Sequence, residues 1–161
     1  MKFIYACLIA VVMMFSTNIF AQIFPGSTCD TAIQLEMCID SQDGNTVGIL
    51  NDSQTSGATA CSGVGTAGQL WYSYTAYENV TITLSTCGSN MDTKIHVYGG
   101  SCGQGNLYCL GQNDDYCAMQ SQVSFPVVAG ETYLIRVGGF GSASGAFTLN
   151  VTCGDGEAGC T

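Results

Sequence analysis

Positive charge is almost absent from this sequence. Of 161 residues, three are Lys or Arg, against twelve Asp or Glu, and there is a single histidine. A chain with that balance is repelled by nucleic acid and by anionic membrane surfaces, which excludes phosphate-backbone binding as a role. It suits metal cations or basic partners instead. Charge of either sign is scarce. Charged residues are 9% of the chain and hydrophobic ones 47%, which separates it from a disordered acidic tail. No Cys-x-x-Cys pair occurs, so the paired-thiolate signature of structural zinc is missing. Helical periodicity is nearly absent; only Cys29 to Met37, with Thr28 or Asp30 as a cap, reads as the start of a helix.

A long apolar run occurs at the N-terminus, from Phe3 to Phe15, after Met1 and Lys2. With Ser16 to Ala21 behind it, the run reads as a secretory signal peptide cleaved after Ala21, although Ile19 is larger than the small residue usual three positions before cleavage. The competing reading, an uncleaved anchor, needs about 20 apolar residues, and the run is shorter. Cys7 lies too early for a lipoprotein signal. The expected organisation is therefore a signal peptide over 1–21, one domain over 22–152 and a Gly-rich tail over 153–161. The exported chain keeps only Lys94 and Arg136 as cations against twelve carboxylates, a net of −10. It is long enough to bury a core and has no membrane span once the leader is removed.

Nine cysteines remain after cleavage, at 29, 38, 61, 87, 102, 109, 117, 153 and 160. Export makes disulfides the default, and the odd count leaves one thiol free or bridging to another chain. Four bridges among nine cysteines allow about 945 connectivities, so the pairing stays open.

The exported chain alternates with period two. Val80, Ile82 and Leu84 are separated by hydroxyl residues, and Ile95 and Val97 by Lys94, His96 and Tyr98. Val123, Phe125 and Val127 repeat the pattern, as do Tyr133, Ile135 and Val137, and then Phe147, Leu149 and Val151. Val47 to Leu50 and Leu70 to Tyr74 add two expected strands. Such alternation marks antiparallel strands with one buried face. Glycine-rich and Asn/Asp-rich turns separate the runs: Gly88 to Asp92, Gly99-Gly100, Ala129 to Glu131 and Gly138 to Gly145. The expected fold is all-β, a disulfide-bonded antiparallel β-sandwich of jelly-roll type. Its expected core is Trp71, Ile82, Leu84, Ile95, Val97, Ile135, Val137, Phe147 and Leu149. Pro126 places its strand at an edge or a bulge.

Nucleophilic catalysis needs a base beside a nucleophile. His96 shares the outward parity of Lys94 and Tyr98 and reads as a surface histidine. Twelve acids offer many carboxylate pairs for glycoside hydrolysis, but the lone Trp71 reads as core and not as a sugar platform. Asp114 and Asp115 are more informative. Adjacent carboxylates repel and require water, a cation or hydrogen-bond donors. Calcium takes six to eight oxygens, and Asn113, Asp114 and Asp115 supply some from one loop, with Asp92 from a neighbouring turn. The alternative is an Asx-turn pinned by a Cys109–Cys117 bridge. Three sequons, at Asn51, Asn79 and Asn150, mark surface positions.

Several stretches together resemble the bacterial pre-peptidase C-terminal type of β-sandwich domain: "TCDTAIQL" (28–35), "LWYSYTA" (70–76), "VTITLSTCGSNMDTKIHVYGGSC" (80–102), "LYCLGQNDDYC" (107–117) and "SQVSFPVVAGETYLIRVGGFGSASGAFTLNV" (121–151). The resemblance implies a jelly-roll-like sandwich without an active site, of a type that aids secretion, stability or attachment, with some calcium-binding relatives. It also implies an Asp-Asp loop lying between cysteines, as Cys109 and Cys117 stand here. No protease domain accompanies the stretch, and cysteines 38, 153 and 160 have no counterpart in the pattern.

Three functional readings follow. The first is a secreted, non-catalytic module that binds an extracellular polymer or protein at the cell surface. The second is a structural subunit that assembles with copies of itself into an extracellular filament, by addition of a terminal segment (Gln22 to Ser27 or the Gly-rich tail) to a neighbour's open edge. The third is a small secreted hydrolase.

Overall fold

In the computed structural model, residues 24–36, 41–50, 61, 68–103 and 105–154 are described. Among these residues nine strands follow in chain order. They are β1 (Ile33–Gln34), β2 (Gln42–Asn45), β3 (Gln69–Thr75), β4 (Val80–Ser85), β5 (Thr93–Gly100), β6 (Leu107–Asn113), β7 (Gln122–Val127), β8 (Thr132–Gly139) and β9 (Ala146–Cys153). They form two sheets, with strand orders β1-β3-β8-β5-β6 and β2-β9-β4-β7. Apart from β1, the order 3-8-5-6 facing 2-9-4-7 is that of a jelly roll. Every pairing is antiparallel except β1 against β3, which is parallel. Among the described residues no helix is long and apolar enough to cross a membrane.

Alternation explains the main core. Ile82 and Leu84 of β4, Ile95 and Val97 of β5, Ile135 and Val137 of β8, and Phe147 and Leu149 of β9 meet between the sheets. Burying each such side chain contributes roughly 1.5–3 kcal/mol. Pro126 lies on β7, the outer strand of the four-stranded sheet, where a missing N–H breaks no ladder bond on the free side.

Four expectations are corrected. Trp71 is fully buried but not in this core: it points to the opposite face of the five-stranded sheet, with Tyr98, Leu107 and Leu134 in a second cluster. Leu70, Tyr72 and Tyr74 take the inward positions instead, because one residue of parity changes the face. His96 does face away from the main core, but that face is itself covered, and His96 is 1% exposed. Cys29 and Cys61, which belong to the second cluster, bridge to Cys102 and Cys109 and so bind chain over that face. Val47 to Leu50 is not a strand: Gly48 adopts φ +77°, and the Ile49 N–H donates to the Thr46 carbonyl at 3.2 Å, making a turn after the polar strand β2. The expected helix over Cys29 to Met37 reduces to one 3-10 turn, Cys29–Thr31, after which Ile33 pairs with Tyr72 of β3.

Of the sequons, Asn150 faces outward with its Nδ2 donating to the Ser85 carbonyl at 3.4 Å. The Asn79 Oδ1 accepts from the Ala129 N–H at 2.8 Å. Asn51, the leader over 1–21 and residues 155–161 of the expected tail lie outside the described residues. β9 continues to Cys153, one residue past the expected domain boundary, and Cys153 is disulfide-bonded.

Candidate metal site

The β5–β6 pairing builds the acidic corner. Ile95 lies opposite Asn113, so Asp92, just ahead of β5, comes beside Asp114 and Asp115, just after β6. One carboxylate oxygen from each of Asp92, Asp114 and Asp115 lies within 4.8 Å of the others. The structure thus brings together three of the four residues expected from sequence. Asn113 is engaged elsewhere, its Oδ1 accepting from the Gln122 N–H at 3.0 Å.

The carboxylates are unevenly satisfied. Lys94 Nζ, 2.9 Å from Asp114 Oδ2, forms an ion pair and also lies 5.2 Å from the centre of the Phe140 ring. Asp92 Oδ1 and Asp114 Oδ1 are buried atoms with no hydrogen-bond partner. An unpartnered buried carboxylate oxygen loses its hydration without replacement, which is costly. Burial accordingly pushes the Asp92 carboxyl above its usual range, and the charges of Asp114 and Asp115 push the same way, against the opposing effect of Lys94. Three carboxylates and one ammonium leave a local charge near −2, suited to a divalent cation.

The loop is held by a knot of hydroxyls that the sequence pattern does not reveal. Ser121 is fully buried. Its Oγ donates toward the Thr93 carbonyl at 2.6 Å and lies 3.0 Å from the carbonyls of both Asn113 and Asp114. Its N–H donates to Thr86 Oγ1 at 3.0 Å and Thr93 Oγ1 at 3.1 Å, and those two hydroxyls are 2.6 Å apart. One buried serine therefore ties the end of β6 to the start of β5.

The expected Cys109–Cys117 bridge does not form. Cys109 pairs with Cys61, and Cys117 with Cys87. Cys109 lies within β6 beside the covered outer face, whereas Cys117 lies beyond the acidic pair in a turn closed by the Tyr116 and Cys117 N–H groups on the Gln120 carbonyl. The acidic loop is thus anchored to the residues after β4, and not closed on itself. Exposed Tyr116, Met119 and Phe140 flank this corner: Thr93 N–H donates to the Met119 carbonyl and Phe140 N–H to the Asp92 carbonyl.

No protein-family model matches this chain, and no curated protein does. Several solved structures are similar to it, two of which are the following. One is the pre-peptidase C-terminal domain of collagenase from Bacillus anthracis, 12% identical, with a TM-score of 0.46 over 75% of this chain and 94% of that one. The other is PliG of Aeromonas hydrophila, a periplasmic inhibitor of g-type lysozyme, 18% identical, with a TM-score of 0.46 over 76% of this chain and 95% of that one. The first is the domain type that the sequence resembles. At these identities neither likeness assigns a ligand to this chain.

Proposed function

We propose that this protein is an exported, non-catalytic β-sandwich for extracellular binding or adhesion, stabilised by one calcium ion at the Asp92–Asp114–Asp115 corner. The observation that carries the calcium site is the triad itself, with one oxygen of each carboxylate within 4.8 Å of the others, and with Asp92 Oδ1 and Asp114 Oδ1 buried without a hydrogen-bond partner. Calcium–oxygen bonds of 2.3–2.6 Å put opposite ligands about 5 Å apart, so the triad fits one ion. All-oxygen donors favour calcium over zinc, and the partly exposed loop leaves positions for water, which calcium tolerates. Export is supported by the apolar leader and the three described disulfides. The non-catalytic part of the reading is supported by the burial of His96, which keeps the only histidine of the sequence away from a solvent-borne substrate.

Thermal melting in calcium and in chelator tests the site. A ligand at a hundredfold excess over Kd stabilises by about 2.7 kcal/mol, which for a domain of this size raises Tm by about 5–10 °C. Asp92→Asn combined with Asp115→Asn, which leaves the Lys94–Asp114 pair intact, should abolish the increment. The increment should also shrink on acidification. The raised Asp92 carboxyl means that the metal-free folded state gains stability as pH falls through that pKa, while protons displace the metal. Identical melting of the wild type in both buffers would refute the calcium site.

A further inference from the structure

A sandwich of two sheets has four open edges, and an unprotected edge is a template for another strand. Three edges here are blunted. β1 has two residues, β2 has four and carries Asp43, and β7 contains Pro126. The fourth edge, β6, carries a bulge at Leu110, where its register against Val97 and Tyr98 shifts, but it has seven residues, none charged, with Tyr108 52% and Leu110 42% exposed. Among the described residues no strand lies beyond it.

The sandwich also opens beside this edge. At one end of β6 the sheets are in close contact, since a side-chain carbon on Gly111 would stand 3.0 Å from Val123 Cγ1. Towards the other end they diverge around a cleft of about 540 Å³, lined by Tyr108, Leu110, Pro126, Val128, Glu131 and Tyr133, among others. The Tyr108 ring occupies the space that a side chain on Gly99 would fill, so that glycine lets the ring form one wall. Opposite, the Tyr133 hydroxyl accepts from the Val128 N–H at 2.8 Å and holds the other wall in place. Glu131 is the one charged residue of the lining.

We propose that β6 is a docking edge for an extended, basic peptide segment of another protein, which adds to the five-stranded sheet as a further strand. Main-chain bonds to β6 supply affinity, an apolar side chain enters the cleft beside Tyr108 and Leu110, and a Lys or Arg pairs with Glu131. Charge selects the partner. The full chain carries −9, Lys94 is engaged by Asp114, and Arg136 is fully buried, so the described surface of a second copy has no free cation for Glu131. The inference names a partner class for the binding role proposed above and rests on that reading.

The probe is a short acetylated peptide of alternating threonine and leucine with a lysine at each end, compared with the same peptide carrying glutamates. Hydrogen exchange of the folded, calcium-loaded protein is the readout. The lysine peptide should bind and slow exchange of amides between Leu107 and Gly111 by about tenfold or more, equal to about 1.4 kcal/mol. Glu131→Lys should reverse the preference between the peptides. Leu110→Lys, a charge on an exposed edge position, should abolish binding of both without changing Tm. No protection on β6, protection elsewhere, or an unchanged preference in Glu131→Lys would overturn the proposal. So would sedimentation showing copies of the chain already occupying the edge. A protein stabilised by calcium but showing no β6 protection sinks the docking edge alone; one showing neither effect sinks the calcium site with it.

Discussion

Replacing Ser121 by Ala removes a single oxygen that lies within hydrogen-bond reach of three backbone carbonyls. The hydroxyl is fully buried, 2.6 Å from the Thr93 carbonyl and 3.0 Å from those of Asn113 and Asp114. It carries one proton, so the carbonyls share a single donor, and the site is closed to bulk solvent. Leaving a buried acceptor unsatisfied costs about 1–3 kcal/mol. For a domain of this size that lowers Tm by about 3–10 °C. Ser124→Ala is the control, because it deletes the same hydroxyl from an exposed pair, Thr83 Oγ1 to Ser124 Oγ at 2.7 Å. Water replaces that bond, and the change should stay within about 0.5 kcal/mol. Calorimetric melting of both variants against wild type measures the difference. In calcium the Ser121 variant should also lose part of its metal increment, since the Asp114 backbone is no longer held against β5. Equal losses in the two variants, or a Ser121 variant melting within about 1 °C of wild type, would refute the argument that burial sets the value of this hydroxyl.

Ile135 is fully buried on β8 between the sheets, so Ile135→Ala should cost about 2–5 kcal/mol in denaturant titration, and a loss below about 0.5 kcal/mol would place it outside the core. Cys87 and Cys117 are separated by 30 residues, so replacing both by Ser should cost about 3–4 kcal/mol on the chain-entropy account, and a loss below about 1 kcal/mol would count against it. Non-reducing peptide mapping should recover Cys61 linked to Cys109 and Cys87 linked to Cys117, and a Cys109–Cys117 peptide would contradict the fold around the acidic loop.

The period-two alternation of β4, β5, β7, β8 and β9 determined those strands and the faces that meet between the sheets, because a pleated strand buries every second side chain. The acidic corner was legible only as chemistry: adjacent Asp114 and Asp115, with Asp92 in another turn, offer oxygens that invite a cation, whereas the β5–β6 pairing that brings them together appears only in the structure. Tertiary structure alone decided what covers the outer face of the five-stranded sheet. The pattern set His96 and Arg136 apart from the inner core but put Trp71 within it, and it carries no signal that chain tied down by Cys29 and Cys61 covers all three on the outer face. The disulfide pairs were equally hidden, because bonding between sulfurs 30 to 73 residues apart depends on strand order, which local pattern does not encode. The same holds for Ser121: a small polar residue before a strand is ordinary in sequence, and it becomes the fastening of the acidic loop only because strand pairing brings β5 and β6 to it.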